Sequence, residues 1–400
     1  MARRPVQAVL QLLIRRQTAW RRLHPGSTDF GLWVALALGL VAAWPFLAQL
    51  GLPRQTDAEL HVFRAAQIAS IVRSGVLYSR WAPDLYLGYG YPIFNYYAPF
   101  TYYLANLFNL LPGVDVVNGV RAVFVLGLVL AAIGSYRLAH ITFGVGPALL
   151  AAACFTFSPY VVFIDPHARG DLPEHFAICL LPAALYMYTL VLRGQGGRTV
   201  YAGSVLAIGA LVVSHNLLAL VGAGLLASTW LWHALSARAQ RSALGWGALV
   251  LAVAAALTAF FWLPALLEWG AVELNVIGPG HFDYHGHFVP LQELLAPARI
   301  LDHGATAPRF RFALGVPQWV LALCGAYAVS QRRLRHAALY YLLGALGLTF
   351  LITAPSEFVW DRLPVLAFFQ FPWRLLGPAS LMGAMCAAAG TVSYTHLTLP

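Results

Sequence analysis

Residues 243–263 read ALGWGALVLAVAAALTAFFWL, a run of 21 positions without one charged side chain. Residues 337–353 (AALYYLLGALGLTFLIT) are equally free of charge over a similar length. An α-helix of about 20 apolar residues crosses the hydrocarbon core of a bilayer. These two stretches therefore predict transmembrane helices, and they decide the fold class before any motif is considered.

The composition of the whole chain agrees with this prediction. Of its 400 residues, 60% are hydrophobic and 10% are charged, and the mean hydropathy is +0.69. A soluble domain carries about 25% charged residues, so this chain has too few to cover a surface exposed to water. The composition excludes a cytosolic enzyme, a disulfide scaffold and a nucleic-acid-binding protein. An all-α polytopic membrane protein is expected.

Hydropathy predicts about ten transmembrane helices, and the arginines predict their orientation. The spans are expected at about 30–50, 119–140, 147–164, 176–192, 200–215, 217–235, 243–264, 313–331, 336–354 and 374–391. Six arginines precede the first span, and positive charge favours the cytoplasmic side. With the N-terminus in the cytoplasm, 14 of the 15 acidic residues fall in outer loops or at their rims.

The tyrosine-rich stretch 91–111 (YPIFNYYAPFTYYLANLFNLL) controls the topology. If it crossed the membrane, the short arginine-containing loops near residues 193, 238 and 332 would all face outside, against the positive-inside rule. Aromatic amphipathic segments are typical of the headgroup layer. We therefore expect interfacial helices in the first outer loop, residues 51–118.

The chain is expected to form one membrane domain over residues 1–391. Residues 392–400 (VSYTHLTLP) abruptly replace an apolar helix with polar residues, and they resemble a tail found on unrelated assembled environmental sequences. We expect this segment to be non-native, with the natural protein continuing beyond about residue 391.

The first outer loop contains two carboxylates and an imidazole within five residues: Asp57, Glu59 and His61. Such a group is able to act as a general base, to bind a divalent cation, or both. The alternative is a solvated turn in which Asp57 only caps the helix that follows.

The second outer loop, residues 165–175 (DPHARGDLPEH), is mostly ionisable and lies between two apolar helices. Ionisable groups in such a place are costly and therefore candidates for function. Arg169 beside Gly170 is suited to bidentate contact with a phosphate. The alternative is that Arg169 pairs with Asp165 or Glu174 and merely closes the loop.

Three further outer segments contain candidate groups. His215, in SHN at 214–216, is a substrate ligand or a polar helix cap. Gln370 and Arg374, in QFPWR, either face a lipid-linked phosphate or belong to an aromatic belt with a snorkelling arginine. In HFDYHGH at 281–287, an extended strand would place His281, Asp283, His285 and His287 on one face, as in a metal site, but substrate contact or a polar loop is the interpretation that we favour.

The order of these motifs resembles the GT-C class of membrane glycosyltransferases. More narrowly, several segments are similar to bacterial membrane proteins named 6-pyruvoyl-tetrahydropterin synthase-related. These segments are DAELH at 57–61, LGYGYPIFNYYAPFTYYL at 87–104, ARGDLPEHFA at 168–177, SHN at 214–216 and QFPWR at 370–374. Nothing in the chain indicates pterin chemistry, because the zinc-binding histidine set of the soluble synthase is absent from the sequence.

The resemblance implies a GT-C-like bundle in the bacterial cytoplasmic membrane. It implies transfer of a sugar from a polyprenyl-phosphate donor, at the extracytoplasmic face, to an unknown glycan, lipid or protein acceptor. By position, Asp57 matches the catalytic acid of the first loop, and Asp165 or Asp171 matches the acid of the second. Asp57 and Asp165 are also the expected ligands of a divalent cation, Mg²⁺ or Mn²⁺, which only part of the class uses.

Charge and placement predict the remaining roles. Asp57 or Glu59 is expected to be the base, and Arg169 and Arg374 are expected to bind the donor phosphate. The residues expected to contact substrate are His61, Glu174, His215 and Gln370. The main alternative is a transporter or flippase for a lipid-linked or polar solute, but charges at the rim rather than the midplane favour surface chemistry. A non-catalytic envelope scaffold is a third alternative.

Overall fold

The structure is a computed structural model, and it describes residues 29–49, 51–53, 56–236, 240–271, 280–302 and 309–398, with side chains described as far as residue 392. The arginine-rich segment that carries the orientation prediction lies outside the described residues. Within the described ranges the chain is helical, and its β structure is one isolated bridge between Ala82 and Tyr91. The prediction of an all-α protein is confirmed.

The protein contains long apolar helices, and short helices lie in the segments that connect them. In chain order they are α1 (Phe30–Ala42), α2 (Trp44–Ala48), α3 (Ala58–Arg73), α4 (Ile93–Tyr96), α5 (Phe100–Asn109), α6 (Val116–Phe143), α7 (Val145–Thr156), α8 (Leu172–Leu192), α9 (Arg198–Val212), α10 (Asn216–Ala234), α11 (Arg241–Leu257), α12 (Ala259–Leu267), α13 (Leu291–Leu295), α14 (Val316–Ala326), α15 (Arg335–Ile352), α16 (Glu357–Arg362), α17 (Pro364–Ala367) and α18 (Leu376–Thr398). A π-helix (Tyr160–Arg169) follows α7, and a 3₁₀ turn (Pro372–Leu375) precedes α18.

Six segments of the described chain are long and apolar enough to cross a membrane. They are Val116–Phe143, Val145–Arg169, Leu172–Leu192, Asn216–Ala234, Arg335–Ile352 and Pro372–Val392. Helices α11 and α12 make a seventh if the pair, bent by 69°, is one span. Three shorter apolar segments are α1, α9 and Val316–Ser330. Each of the ten predicted spans falls on one of these segments, while the number of crossings stays a prediction.

Helix α8 is enclosed by its neighbours, and its N-terminus supports the candidate site. Of its membrane-length window, 78% is buried inside the protein. Asp171 directly precedes the helix, and its carboxylate accepts a hydrogen bond from the Glu174 backbone N–H at 3.1 Å. This is an N-cap, the arrangement that satisfies the free N–H groups of a first turn. Close packing needs small residues elsewhere: a Cβ at Gly119 of α6 would lie 2.3 Å from the Ala105 carbonyl oxygen of α5.

The tyrosine-rich stretch 91–111 does not form one continuous helix. It divides into α4, of four residues, and α5, of ten residues. Ten residues rise about 15 Å, which is half of the hydrocarbon thickness of a bilayer. Pro92 and Pro99 stand directly before the two helices, where each proline interrupts the preceding backbone. Neither helix is long enough to span alone, and the interfacial or re-entrant position of this segment stays a prediction.

The boundary predicted at residue 391 falls within a helix. Helix α18 continues from Leu376 to Thr398, and residues 399–400 lie outside the described part of the chain. The non-native character of the last nine residues therefore stays a prediction.

We expect residues 77 and 111 to lie on one side of the membrane and residue 195 on the other. The reason is that the segment between the first two does not cross, whereas three spans separate residue 111 from residue 195. Single variants Leu77→Cys, Leu111→Cys and Gln195→Cys, in a Cys324→Ala background, are labelled in intact cells with a membrane-impermeant maleimide. Opposite accessibility of positions 77 and 111 would overturn the topology.

Candidate functional site

Two loops that are distant in sequence, called the first and second outer loops after their predicted side of the membrane, are joined through their backbones. The Asp57 N–H donates to the Arg169 carbonyl oxygen at 2.8 Å, and the Thr56 N–H donates to the Ala168 carbonyl at 3.3 Å. The Thr56 hydroxyl also donates to the Arg169 carbonyl, at 3.0 Å. These contacts place the first-loop aspartate against the second acidic loop.

A π-helix and a left-handed glycine shape the second loop. The π-helix Tyr160–Arg169 contains Pro166, and π-helical turns occur frequently at functional sites. Gly170 follows with φ of 74° and donates its N–H to the Asp165 carbonyl at 2.8 Å. Because this conformation strains a residue with a Cβ, glycine is suited to the position. The turn brings the Asp165, Arg169 and Asp171 side chains together.

Arg169 is the centre of this group. Its guanidinium is buried and donates to Asp165, to Asp171 Oδ2 at 3.1 Å and to the Tyr160 hydroxyl at 3.1 Å. It also lies 3.2 Å from Glu174 Oε2, and it stacks 4.7 Å from the ring centroid of Trp373. The alternative that Arg169 pairs with Asp165 or Glu174 is therefore observed for both acids. The pairs belong to one larger network and do more than close the loop.

Glu174 connects this network to the last outer segment. It is fully buried, and its Oε1 accepts a hydrogen bond from the Tyr160 hydroxyl at 2.6 Å. Its Oε2 lies 3.0 Å from Arg374 Nε. The distance is that of an ion pair, but the N–H is not aligned with the oxygen, so neither atom has a hydrogen-bond partner there. The Arg374 Nη1 instead donates to the Phe369 carbonyl at 3.1 Å.

Asp57 keeps its carboxylate out of the helix-capping position. It directly precedes α3, yet its side chain accepts no hydrogen bond from the first turn, so the capping alternative is not observed. Burial raises the pKa of Asp57 above its ordinary value, and the nearby charge of Asp171 adds to this rise while Arg169 opposes it. Asp57 is therefore a stronger base than an aspartate in water.

Glu59 does not join the cluster. It is exposed, and it lies two residues after Asp57, a spacing that places two side chains on different faces of a helix. Glu59 is also absent from the described residues that line the two cavities beside the cluster, which are described below. Its predicted catalytic role stays a prediction without a contact at the site.

The two histidines of the cluster are buried, and burial disfavours their charged forms. Burial lowers the pKa of His61 to about 3, and it also lowers the pKa of His215. His61 Nδ1 lies 2.8 Å from the Tyr102 hydroxyl, and its Nε2 faces Asp171 Oδ1 at 3.8 Å. His215 Nδ1 accepts the Leu218 N–H at 3.2 Å and so caps α10. The helix-cap alternative for His215 is thus observed.

Asp171 is kept ionised. Burial alone would raise its pKa, but the adjacent Arg169 holds the pKa of this carboxyl well below the ordinary value. The cluster therefore combines a stable anion, Asp171, with a more basic carboxylate, Asp57. Such separation of carboxyl pKa values is typical of sites that move protons.

Two cavities meet at Gln370 and Arg374, which line both of them. One cavity, of about 1020 Å³, is the more polar of the two, and Asp57, Arg169 and Asp171 are among the residues that line it. The other, of about 760 Å³, is mostly apolar. Gln370 has φ of 61°, a left-handed conformation that costs a residue with a side chain about 1–2 kcal/mol. Strain of this kind is common at ligand sites.

Sequence reasoning missed two members of the cluster. Tyr160 lies inside an apolar run, and Tyr102 belongs to a stretch that was interpreted as interfacial. Both rings are fully buried, and their hydroxyl groups bond Glu174 and His61 respectively. No spacing in the sequence indicated these partners.

One group of three metal-ligand side chains occurs among the described residues. The ligand atoms of Asp171, Glu174 and His215 lie within 4.8 Å of one another. The group fits a divalent cation poorly. His215 uses the lone pair of Nδ1 to cap α10, so its Nε2 carries the proton. Glu174 Oε2 also faces two guanidinium groups. The predicted ligand pair, Asp57 and Asp165, is not part of this group.

The histidine-rich segment 281–287 does not form an extended strand. It folds into two short 3₁₀ turns, Gly280–Phe282 and Tyr284–His287. A turn does not align alternate side chains on one face, so the extended arrangement of a metal site is not observed, although the rings of His281 and His287 lie 5.4 Å apart. His285 instead contacts Asp283 at 2.6 Å and Asp361 at 3.5 Å, both exposed.

Comparison with known proteins identifies a family and a fold. The model of a family described as "6-pyruvoyl-tetrahydropterin synthase related domain; membrane protein" matches residues 94–395. ArnT from Cupriavidus metallidurans, in a structure with bound undecaprenyl phosphate, is similar with a TM-score of 0.55 and 14% identity, over 90% of this chain and 59% of that chain. No curated protein matches the chain significantly by sequence.

The oligosaccharyltransferase of Archaeoglobus fulgidus is also similar. Its structure tethered to an acceptor peptide gives a TM-score of 0.54 and 15% identity, over 92% of this chain and 50% of that chain. These matches establish the fold of GT-C membrane glycosyltransferases for this chain. The chain spans between half and three fifths of the length of the structures that it matches.

We expect Glu174→Gln to destabilise the protein. Removing one partner of a buried ion pair leaves uncompensated charge and costs about 3–5 kcal/mol, and here two arginines would lose their shared carboxylate. Thermal unfolding in detergent measures the loss. The control is Glu357→Gln, because Glu357 is exposed, faces His285 at 3.9 Å and so contributes little. Equal unfolding temperatures for the two variants would contradict the expectation.

Proposed function

The chain belongs to the family of membrane proteins described as 6-pyruvoyl-tetrahydropterin synthase related, and we propose that it transfers a sugar from a polyprenyl-phosphate-linked donor at the extracytoplasmic face. The observation that carries the proposal is the junction of the two cavities. There a basic carboxylate, Asp57, and a guanidinium, Arg374, line one polar cavity that opens onto an apolar one.

The apolar cavity is the proposed site of the lipid-linked donor. Its walls include Leu217, Leu266, Trp269 and Phe368, which suit a prenyl chain. Arg374 at the junction supplies a guanidinium for the donor phosphate, the group that it recognises best. The fold is that of ArnT, whose structure contains undecaprenyl phosphate, and this supports a polyprenyl phosphate as the lipid part of the donor.

The polar cavity is the proposed site of the acceptor. Asp57 takes the proton from the acceptor hydroxyl as its oxygen bonds to the anomeric carbon of the sugar. The bond between that carbon and the phosphate oxygen breaks, and the polyprenyl phosphate leaves with the electron pair. Arg374 and Arg169 face the negative charge that develops on this phosphate. The acceptor is a glycan, lipid or protein hydroxyl.

The other charged groups have positioning roles in this proposal. Asp165, Asp171 and Glu174 hold Arg169 by ion pairs, and a fixed guanidinium stabilises charge without reorganising during the reaction. His215 and Gln370 line the apolar cavity beside Arg374 and are proposed to contact the donor. His61 acts through Asp171, which its Nε2 faces.

We expect Asp57→Asn to lower the rate of sugar transfer by about 100-fold or more, because general base catalysis contributes at least that factor. The assay uses full-length protein in lipid with radiolabelled polyprenyl-phosphate sugars and measures sugar release or transfer. Binding of polyprenyl phosphate should remain, since Asp57 does not line the apolar cavity. Glu59→Gln should retain activity, because its side chain is exposed.

Three results would contradict this assignment. Full activity of Asp57→Asn would exclude Asp57 as the base, and loss of activity in Glu59→Gln alone would transfer the role to Glu59. Movement of an intact lipid-linked sugar across vesicles, without release of the sugar, would instead support the transporter alternative.

We expect chelation of divalent cations to leave the rate unchanged. In the described cluster, two arginines already face the carboxylate that a metal would need, and His215 presents a protonated nitrogen. The measurement compares transfer in EDTA with transfer in added Mg²⁺ or Mn²⁺. Loss of activity in EDTA that Mg²⁺ restores would show that a cation displaces one of the arginines.

A further inference from the structure

A basic cavity, separate from the acidic cluster, lies at the opposite end of α8. A cavity of about 80 Å³ opens where α6, α8, α10 and α15 meet. Helix α8 has 21 residues and begins directly after Asp171, so it rises about 30 Å, the thickness of the hydrocarbon core. The cavity is therefore at the depth of the headgroups of the other leaflet.

The polar groups of this cavity are basic or neutral. Arg193, His233 and His336 line it, together with threonine and tyrosine hydroxyl groups, and its lining contains no Asp or Glu. In the part of the chain that the structure describes, no carboxylate lies within ion-pair distance of Arg193. Arg332, Arg333 and Arg335 lie within four residues before His336 in the sequence and add positive charge near the start of α15.

Arg193 is held in place while its charge stays unbalanced. Its Nη1 donates to the Ile141 carbonyl at 2.6 Å, and its Nη2 donates to the Thr142 hydroxyl at 2.7 Å. These bonds satisfy groups at the C-terminal end of α6. A guanidinium has five N–H donors, so three are not used by these two bonds. The result is a preorganised donor group without a counter-ion.

The surroundings of the cavity suit a lipid. Helix α15, which forms one wall, buries only 17% of its membrane-length window. Along it, Leu343, Leu346 and Phe350 are exposed in a line suited to acyl chains. At the cavity itself, the Trp232 indole donates to the His336 carbonyl at 3.0 Å and links α10 to α15.

We propose that this cavity binds a phosphate group, supplied by an anionic phospholipid of the inner leaflet. Basic pockets between transmembrane helices recognise such headgroups through charge, and Arg193 offers charge-assisted hydrogen bonds to the phosphate oxygens. The volume holds a group of about five water-sized atoms, which is the size of a phosphate. The site is separate from the proposed transferase site, so each stands or falls without the other.

The test measures binding of three probes to the purified full-length protein in detergent. The probes are phosphatidylglycerol, diacylglycerol with the same acyl chains, and inorganic phosphate. Native mass spectrometry detects the lipids, and calorimetry detects phosphate. We expect phosphatidylglycerol to bind and diacylglycerol not to bind. A different result would be saturable binding of inorganic phosphate that is lost in Arg193→Gln, with no binding of phosphatidylglycerol. That result would assign the site to free phosphate and overturn the lipid as its source.

Variants locate the binding. Arg193→Gln should weaken phosphatidylglycerol binding about tenfold, the loss of one charge-assisted hydrogen bond. The matched control is Arg198→Gln, which removes the same charge from an exposed residue at the start of α9, five positions away, and should have no effect. His336→Gln leaves the Arg193 bonds to α6 intact and should also weaken binding, so the test holds even if Arg193→Gln misfolds. If Arg193→Gln and Arg198→Gln weakened phosphatidylglycerol binding equally, the binding would reflect only the attraction of the anionic lipid to positive charge, and the proposed site would be overturned.

Discussion

The enclosed pairing of carboxylates with arginines is the constraint on which the outer half of this protein depends. A charged group buried without a partner is very costly, so each one must meet an opposite charge or a hydrogen bond. Here Arg169 and Arg374 both face Glu174. Because the three residues come from the second outer loop, α8 and the turn before α18, their pairing determines how these elements meet.

The same constraint explains how the first outer loop reaches the site. Its backbone is bonded to the Arg169 carbonyl, while the Arg169 side chain is used by the acids. The Arg169 backbone therefore positions Asp57 at the cavity, although the Arg169 side chain forms its ion pairs with other acids. This leaves its carboxylate uncapped and facing the cavity, which is the condition for a base. The carbonyl oxygen of Arg169 holds the first outer loop in place, and the guanidinium of the same residue forms the ion pairs of the cluster.

Helix α8 organises the two ends of the molecule. Its first turn belongs to the acidic cluster, and its last residue precedes Arg193 in the basic cavity. Lipid excludes free polar groups from the intervening length, so polar chemistry concentrates at helix ends. The acidic cluster lies at the first turn of α8, and Arg193 lies at its other end. This separation underlies both the transferase proposal and the phosphate site.

The sequence by itself determined the helical membrane fold, because insertion depends on local apolar length. It also indicated Asp57, Arg169 and Arg374 as candidates, because ionisable residues beside apolar helices are rare. Only the tertiary structure decided their partners, since Tyr160 and Tyr102 look like ordinary aromatic residues in the chain. It also separated Asp57 from Glu59 and joined two cavities at Gln370. Tyr160 and Tyr102 lie 14 and 41 positions from the residues that they bond, and Asp57 and Arg374 are more than 100 positions from their partners, so no local pattern encodes these contacts.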